Sequence, residues 1–539
     1  MPCVQDLPYE LCLAILKRLP PPQVAQFQLV SRYYHELVQS SEDLRHIIDC
    51  FLLGAIEHSP DLRSSFRGRL DRVKMWRRRW KRQSWDDEQR IRAFTSHFRI
   101  SGPVVAQGLA RPGLLSHTGA RFHLTGSQLR GIKQATWTLK DLPEYEKFAL
   151  DWYQDLLILV ASENGHIAVH FMKCSTAVPH PDAKHPSLRV IFPTEREQSV
   201  EGLDLKVCGH MVALHCKLLD AACLAEIWVL DWRQGLPLLH LGTDVVNDKE
   251  LAWRPEDCTL LDPRHLLVAT GGNSPQQIVA VFDCYAVPYT ERRPFSDALQ
   301  HHAILILDLP PLLVRHDMLV HINCQPNSPH ALPAQVQDVQ FRAAAPPVTL
   351  VEIMTHDAEW KEVKYNFLIP GWFLLPLLAK GRATRATSCA ALRLPWQTYG
   401  LDCVLEKAEW KSGGTAVHGC RYATVRTGWQ PAEDAADPDD HGGFIKFAAV
   451  KHFEEPKTIM QDAEVDGFND KENDRLRTVH RVVKEFVDDD EDVWAEPVRT
   501  AAPHLCTWTD VESGFDSFHL VEDGYIVSAE GTQPRAHVF

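Results

Sequence analysis

From about residue 100 onward, apolar residues alternate with polar ones in short runs that close on Gly, Asn or Asp turns. This rhythm limits most of the chain to a mainly-β fold. "DLLILVASENGHIAVHFM" (155–172) reads as a strand, a turn at Asn164-Gly165 and a second strand. "LKVCGHMVALHCKL" (205–218), "AEIWVLDWRQGLPLLHL" (225–241) and "RHLLVATGGNSPQQIVAVFDCYAV" (264–287) repeat the style. Strands end on an aspartate, Asp231 in "VLDW" and Asp283 in "VFDC", 52 residues apart, and "AVHF" (168–171) ends a comparable strand. A repeat of this size holding several short strands suits stacked blades, each covering the face of the next. Further strand patterns lie at 336–369, 420–429 and 443–453, and around Glu522-Asp523-Gly524 in the last segment. Six to eight blades fit the length, with a strand near 92–110 completing the last one. The competing arrangements are a pair of β-sandwiches or an irregular α/β body.

The chain has 539 residues, too many for one ordinary core. A formal charge of −14 argues against a general nucleic-acid binder. Fourteen cysteines, none spaced C-x-x-C, read as reduced, buried thiols of an intracellular chain, cytoplasmic or nuclear. The N-terminus lacks a signal-peptide pattern, and "AILILDLPPLLV" (303–314) is cut by Asp308 and two prolines, so no bilayer span is expected.

The first fifty residues follow a different, helical pattern. Asp6 can cap a helix that carries Pro8 and Glu10 in its first turn. Leu11, Ile15 and Leu19 recur every fourth residue with Leu16 beside them, and Pro20, Pro21 and Pro22 end the helix. A second helix restarts near Pro22 with Val24, Phe27 and Val30 on its face. A third begins near Ser31 with Tyr34, Leu37 and Val38. Ser41 caps a fourth, holding Leu44, Ile47, Ile48 and Phe51. So small a core is marginal alone, and part of the apolar stripe is free for a partner helix. The bland alternative is a subdomain whose leucines pack only on each other.

The order Leu7-Pro8, Glu10-Leu11, Ile15-Leu16, Leu19, Pro22, Val24 and Val30-Ser31-Arg32 before Tyr33 resembles the F-box motif, over roughly residues 5–50. One departure is Leu44 and His46 where the family often has a tryptophan. The resemblance implies docking on the Skp adaptor of cullin–RING ubiquitin ligases through Leu7, Pro8, Leu11, Ile15, Leu16, Leu19, Val24, Phe27 and Val30. The body is similar to a divergent WD-repeat propeller, with Gly209-His210 and Asp231-Trp232 echoing the paired marks of that repeat.

Between head and body, "RSSFRGRLDRVKMWRRRWKRQSW" (63–85) places Leu70, Val73, Trp76 (or Met75) and Trp80 at helical spacing among cations. It reads as an amphipathic helix linking the two parts, its tryptophans docked. A nuclear import signal in "RRRWKR" and a contact with an acidic partner are further readings.

The expected organisation is therefore multidomain, α then β: an F-box helical domain at 1–55, a basic amphipathic linker at 56–95 and a six- to eight-bladed β-propeller-like body at 96–539. Acidic loop insertions are expected near 431–443 and 462–497. No catalytic motif occurs. Asp462, Glu464, Asp466 and Gly467 supply half a calcium loop, but Asn473 stands where its bidentate glutamate belongs. Cys208, His210, His215 and Cys216 have metal-ligand types, yet strand alternation sends His215 and Cys216 to opposite faces. No metal, cofactor or membrane is called for. The expected function is a non-catalytic substrate receptor of an E3 ubiquitin ligase, with a protein target of unknown identity. The alternative is a non-degradative interaction scaffold.

Overall fold

The computed structural model describes most of residues 7–538. Within that range, the stretches of six or more residues left out are 58–64, 192–199, 219–224, 244–252, 311–318, 326–340, 409–414, 431–442, 453–480, 489–497 and 529–534. The expected insertion at 431–443 and most of 462–497, including the half calcium loop, thus lie outside the described residues.

Four short helices form the head: α1 (Tyr9–Leu16), α2 (Pro21–Phe27), α3 (Arg32–Ser40) and α4 (Glu42–Leu52). Pro8 occupies the N-cap of α1, where a missing N–H costs nothing, and its carbonyl accepts from Leu11 and Cys12. Asp6, the expected cap, is outside the described residues. Ser31 and Ser41 cap α3 and α4 as their sequence positions suggest, accepting from the N–H of Tyr34 and Leu44.

The body is a β-propeller built from antiparallel meanders. Blade 1 runs through Phe98–Ser101, Val104–Ala110, His117–Leu124 and Ala135–Leu139. Blade 2 comprises Lys147–Asp151, Leu156–Glu163, His166–Lys173 and Ser187–Ile191. Blade 3 comprises Val200–Cys208, Met211–Leu218, Ala225–Asp231 and Leu236–Gly242. Blade 4 comprises Arg254–Leu260, His265–Gly271, Ile278–Asp283 and Ala303–Asp308. Blade 5 comprises Leu319–Cys324, Thr349–His356, Glu362–Ile369 and Val404–Ala408.

Alternation explains why these strands read as nearly continuous apolar runs. In Ala225–Asp231 every residue is buried. Ile227 and Val229 enter the core shared with blade 4, while Trp228 and Leu230 enter the core shared with blade 2. A central blade strand is covered on both faces, so both halves of its period-two pattern are apolar.

The structure corrects the blade number. Among the described residues, five blades, not six to eight, are complete in their four strands and pack face to face in chain order. Dividing the body by a compact blade overcounts, because length goes into additions within blades. Helix Phe295–His301 and the parallel strand Arg293–Pro294 lie between the third and fourth strands of blade 4. Helix Gly371–Ser388 and strand Leu392–Leu394 interrupt blade 5. Downstream, the backbone pairs Thr415–His418, Arg421–Gln430, Gly443–His452, Leu505–Val511 and Arg481–Val482 into one sheet.

A last sheet joins the two ends of the body. Asp87–Arg90 pairs antiparallel with Arg535–Val538, beside Gly524–Ser528 and Ser517–Val521. The closing strand therefore lies just before the expected 92–110 region, whose strands belong to blade 1. Its sequence, Asp-Glu-Gln-Arg, has no apolar alternation to betray it. An outer strand needs only backbone pairing, and buried Gln89 exchanges hydrogen bonds with the backbone of Gly126.

Polar groups on the first strands of the blades meet near the ring's axis. Arg99 of blade 1 reaches Asp204 of blade 3 at 3.6 Å, and Lys206 approaches the same carboxylate at 2.9 Å. Burial pushes the Asp204 carboxyl up, but Lys206 and Arg99 outweigh it and hold the pKa at about 2, below its ordinary 3.8. A carboxylate depressed in the folded state stabilises fully above its ordinary value, and this contribution is lost as pH falls through about 2. Acid unfolding of an Asp204→Asn variant should therefore lack part of the parent's stability loss between about pH 4 and pH 2. Parallel acid-denaturation curves would contradict the assignment.

Candidate functional site

The head keeps one set of apolar side chains inside and leaves another outside. Cys12, Leu16, Val24, Tyr34, Leu37, Val38, Leu44 and Ile48 form its core, with Leu7, Leu19 and Phe27 packed against the edge. Phe27 meets Tyr34 edge-to-face at 5.2 Å. Leu11 and Ile15, one turn apart on α1, remain 52% and 46% exposed, and Leu29 and Val30, after α2, 83% and 67%. Tyr9 and Tyr33 are also exposed.

The nine residues singled out from the sequence thus divide. Leu16 and Val24 are buried in the head itself. Leu7, Leu19 and Phe27 are half-buried, and Pro8, Leu11, Ile15 and Val30 face solvent. Sequence reasoning missed Tyr9 and Leu29, and it named Tyr33 in the motif without placing it on the docking face. Leu29 lay one residue beside the Val24–Phe27–Val30 stripe, which is where an α2 continued by one more turn would have hidden it.

Two devices couple the head to the body. Strand Ala55–Glu57 pairs antiparallel with Phe341–Ala343. Glu57 also accepts from His46 of α4 at 3.0 Å and forms an ion pair with Arg69 at 3.0 Å, so one carboxylate ties the strand to α4 and to α5 (Phe66–Arg82). On α5, Val73, Trp76 and Trp80 are buried, and the Arg421 guanidinium of the body lies over Trp76 at 5.1 Å and Trp80 at 3.8 Å. Met75, the alternative to Trp76, is exposed. The "RRRWKR" run lies in this helix, with Arg77 buried and Trp80 docked.

In the body, the aspartates at the strand ends cap turns. Asp231 accepts from the N–H of Arg233 and Gln234, both at 3.0 Å, and Trp232 Nε1 donates to Gly209 O at 2.9 Å. With the Trp232 backbone N–H donating to His210 O at 3.1 Å, this joins the Gly209-His210 and Asp231-Trp232 pairs. The His210 ring itself pairs with Tyr285. Cys208, His215 and Cys216 are buried in strands, and burial pushes both thiols well up. Among the described residues no three His, Cys, Asp or Glu side chains are placed to hold a metal ion, and no helix is long and apolar enough to cross a membrane.

The chain matches the F-box-like family over residues 4–49. No curated protein matches it. Among solved structures, the WD40 domain of SCAP from fission yeast aligns at 9% identity and a TM-score of 0.33, covering 83% of this chain and 85% of that one. The Dos1 propeller aligns at 9% identity and a TM-score of 0.32, covering 83% and 82%. Likeness at this level decides nothing, and the propeller rests on the strand order itself. The chain therefore carries an F-box-like domain at its N-terminus, ahead of a β-propeller body.

Proposed function

We propose that the chain is the substrate-recognition subunit of a cullin–RING ubiquitin ligase. The head docks on the Skp adaptor, the body holds a protein target, and the transfer chemistry takes place elsewhere in the complex. The observation that carries this reading is the division of the F-box-like head. Its own core is closed around Leu16 and Val24, while Leu11, Ile15, Leu29 and Val30 stay in water. Exposed leucines and valines on a small closed core are what a helix-on-helix partner would bury. The docking set proposed is Pro8, Leu11, Ile15 and Val30 with Tyr9, Leu29 and Tyr33, flanked by Leu7, Leu19 and Phe27. Leu16 and Val24 would act by holding the head in shape.

The Trp–Arg clamp and the paired strand favour a receptor in which target and adaptor are held at a set distance. The reading calls for no cofactor, membrane or nucleic acid, and for a cytoplasmic or nuclear site of action. A non-degradative scaffold would use the same head without the ligase. Size-exclusion chromatography of the purified chain with Skp and a cullin–RING pair separates the two. Co-elution of all components is expected. Capture of Skp with no recruitment of the cullin would favour the scaffold, and no capture of Skp would remove the receptor reading.

A further inference from the structure

In each meander the turn after the first strand and the turn after the third lie at the same end of the blade, so all of them share one face of the ring. The head is fixed on that face. Strand Ala55–Glu57 pairs with Phe341–Ala343, between the first two strands of blade 5, and Arg421 opens the second strand of the following sheet.

A cavity of about 510 Å³ opens on the same face, where blades 3 and 4 meet. His210 comes from the first turn of blade 3, Asp231 and Arg233 from its third, Arg264 from the first turn of blade 4, and Tyr285 follows Asp283. The carboxylates here are turned inward. Asp231 is buried and takes two backbone N–H groups, with Tyr285 Oη at 3.5 Å. Asp283 is buried and takes Arg264 through Nε at 2.8 Å and a terminal nitrogen at 2.7 Å. Among the described residues Arg233 makes no ion pair, and its guanidinium lies over the Trp232 ring at 5.3 Å. One terminal nitrogen donates to the neutral Gln154 Oε1 at 3.0 Å, and its buried Nε finds no acceptor among the described residues. The cavity thus presents guanidinium donors beside the His210–Tyr285 pair, and among the described residues no carboxylate pairs with the Arg233 guanidinium.

We propose that this cavity binds an anionic side chain, carboxylate or phosphate, of a polypeptide held on the head's side of the ring. That the polypeptide is a ligase target rests on the receptor reading above. The guanidinium fork matches both anions, and a cavity of this size takes one side chain with its neighbours. A target bound here shares the face that carries the adaptor-binding head.

The test is calorimetric titration of the full chain with inorganic phosphate, then with two short peptides differing only in a central glutamate or phosphoserine. Arg233→Gln is the diagnostic variant, because no carboxylate loses its partner, whereas loss of Arg264 would strand buried Asp283. Saturable binding of phosphate and of at least one peptide is expected, weakened ten-fold or more in Arg233→Gln at an unchanged melting temperature. Preference for the phosphoserine peptide assigns the anion to phosphate, and equal binding assigns it to any acidic side chain. No binding by the parent at millimolar phosphate and peptide, or equal binding by parent and variant, overturns the proposal. Tyr285→Phe gives a second reading should Arg233→Gln melt early: weaker binding supports the site, and unchanged binding counts against it. Skp capture is measured on the same samples. Capture without anion binding ends the cavity proposal and leaves the receptor reading intact. Anion binding lost in Arg233→Gln, with no Skp capture, keeps the anion site and removes its assignment to a ligase target.

Discussion

Alanine at Trp80 should loosen the head and α5 from the body. Trp80 is 1% exposed and covered by Arg421 at 3.8 Å. Truncating a buried tryptophan costs about 3–5 kcal/mol, and the lost cation–π contact adds about 0.5–2 kcal/mol. Much of the cost should fall on the junction, because the blade cores are packed elsewhere, between neighbouring sheets. Calorimetry should then resolve an early transition for head and helix, and amide exchange should rise across 66–82 while blades 2–4 stay protected. A variant that melts as one unit with unchanged exchange in α5 would mean the clamp does not couple the two parts.

Replacing Leu11, Ile15 and Val30 together by alanine should remove Skp capture without unfolding the head. All three are about half exposed or more in the free chain, so each change alters stability by within about 0.5 kcal/mol. Buried against a partner, each would contribute about 1–3 kcal/mol, so the triple variant should bind at least about 100-fold more weakly. Leu16→Ala is the contrasting control. It opens a cavity in the head's core at a cost of about 2–5 kcal/mol and should lower binding only by unfolding the head. Equal binding by parent and triple variant would place the adaptor elsewhere.

The head was legible because helix caps and proline stops are local. Ser31, Ser41 and the Pro20–Pro22 break mark its boundaries, and the Val73, Trp76 and Trp80 spacing marks the docked face of α5. The strands of blades 2 to 4 were legible for the same reason, since each carries its alternation within a few residues. What stayed hidden depends on partners distant in sequence. Asp87–Arg90 pairs with residues more than 400 positions away and carries no apolar signal. Helix Gly371–Ser388 holds Pro376 and sits among strand patterns; Gly381 fits because its α-carbon lies against the Ile304 carbonyl, leaving no room for a side chain. The blade number failed because such additions consume length without adding blades. In the head, periodicity named the apolar stripe but could not divide it between a core around Leu16 and Val24 and a solvent face at Leu11, Ile15 and Val30. The cavity between blades 3 and 4 escaped because its arginines come from turns on two blades.

The most direct test of the central claim is amide hydrogen exchange of the full chain with and without purified Skp. The proposed docking predicts protection confined to the head, strongest in peptides covering 9–16 and 27–34, with the blades unchanged. Exchange in these peptides that is indifferent to Skp, from a chain whose head is folded by circular dichroism, would contradict it.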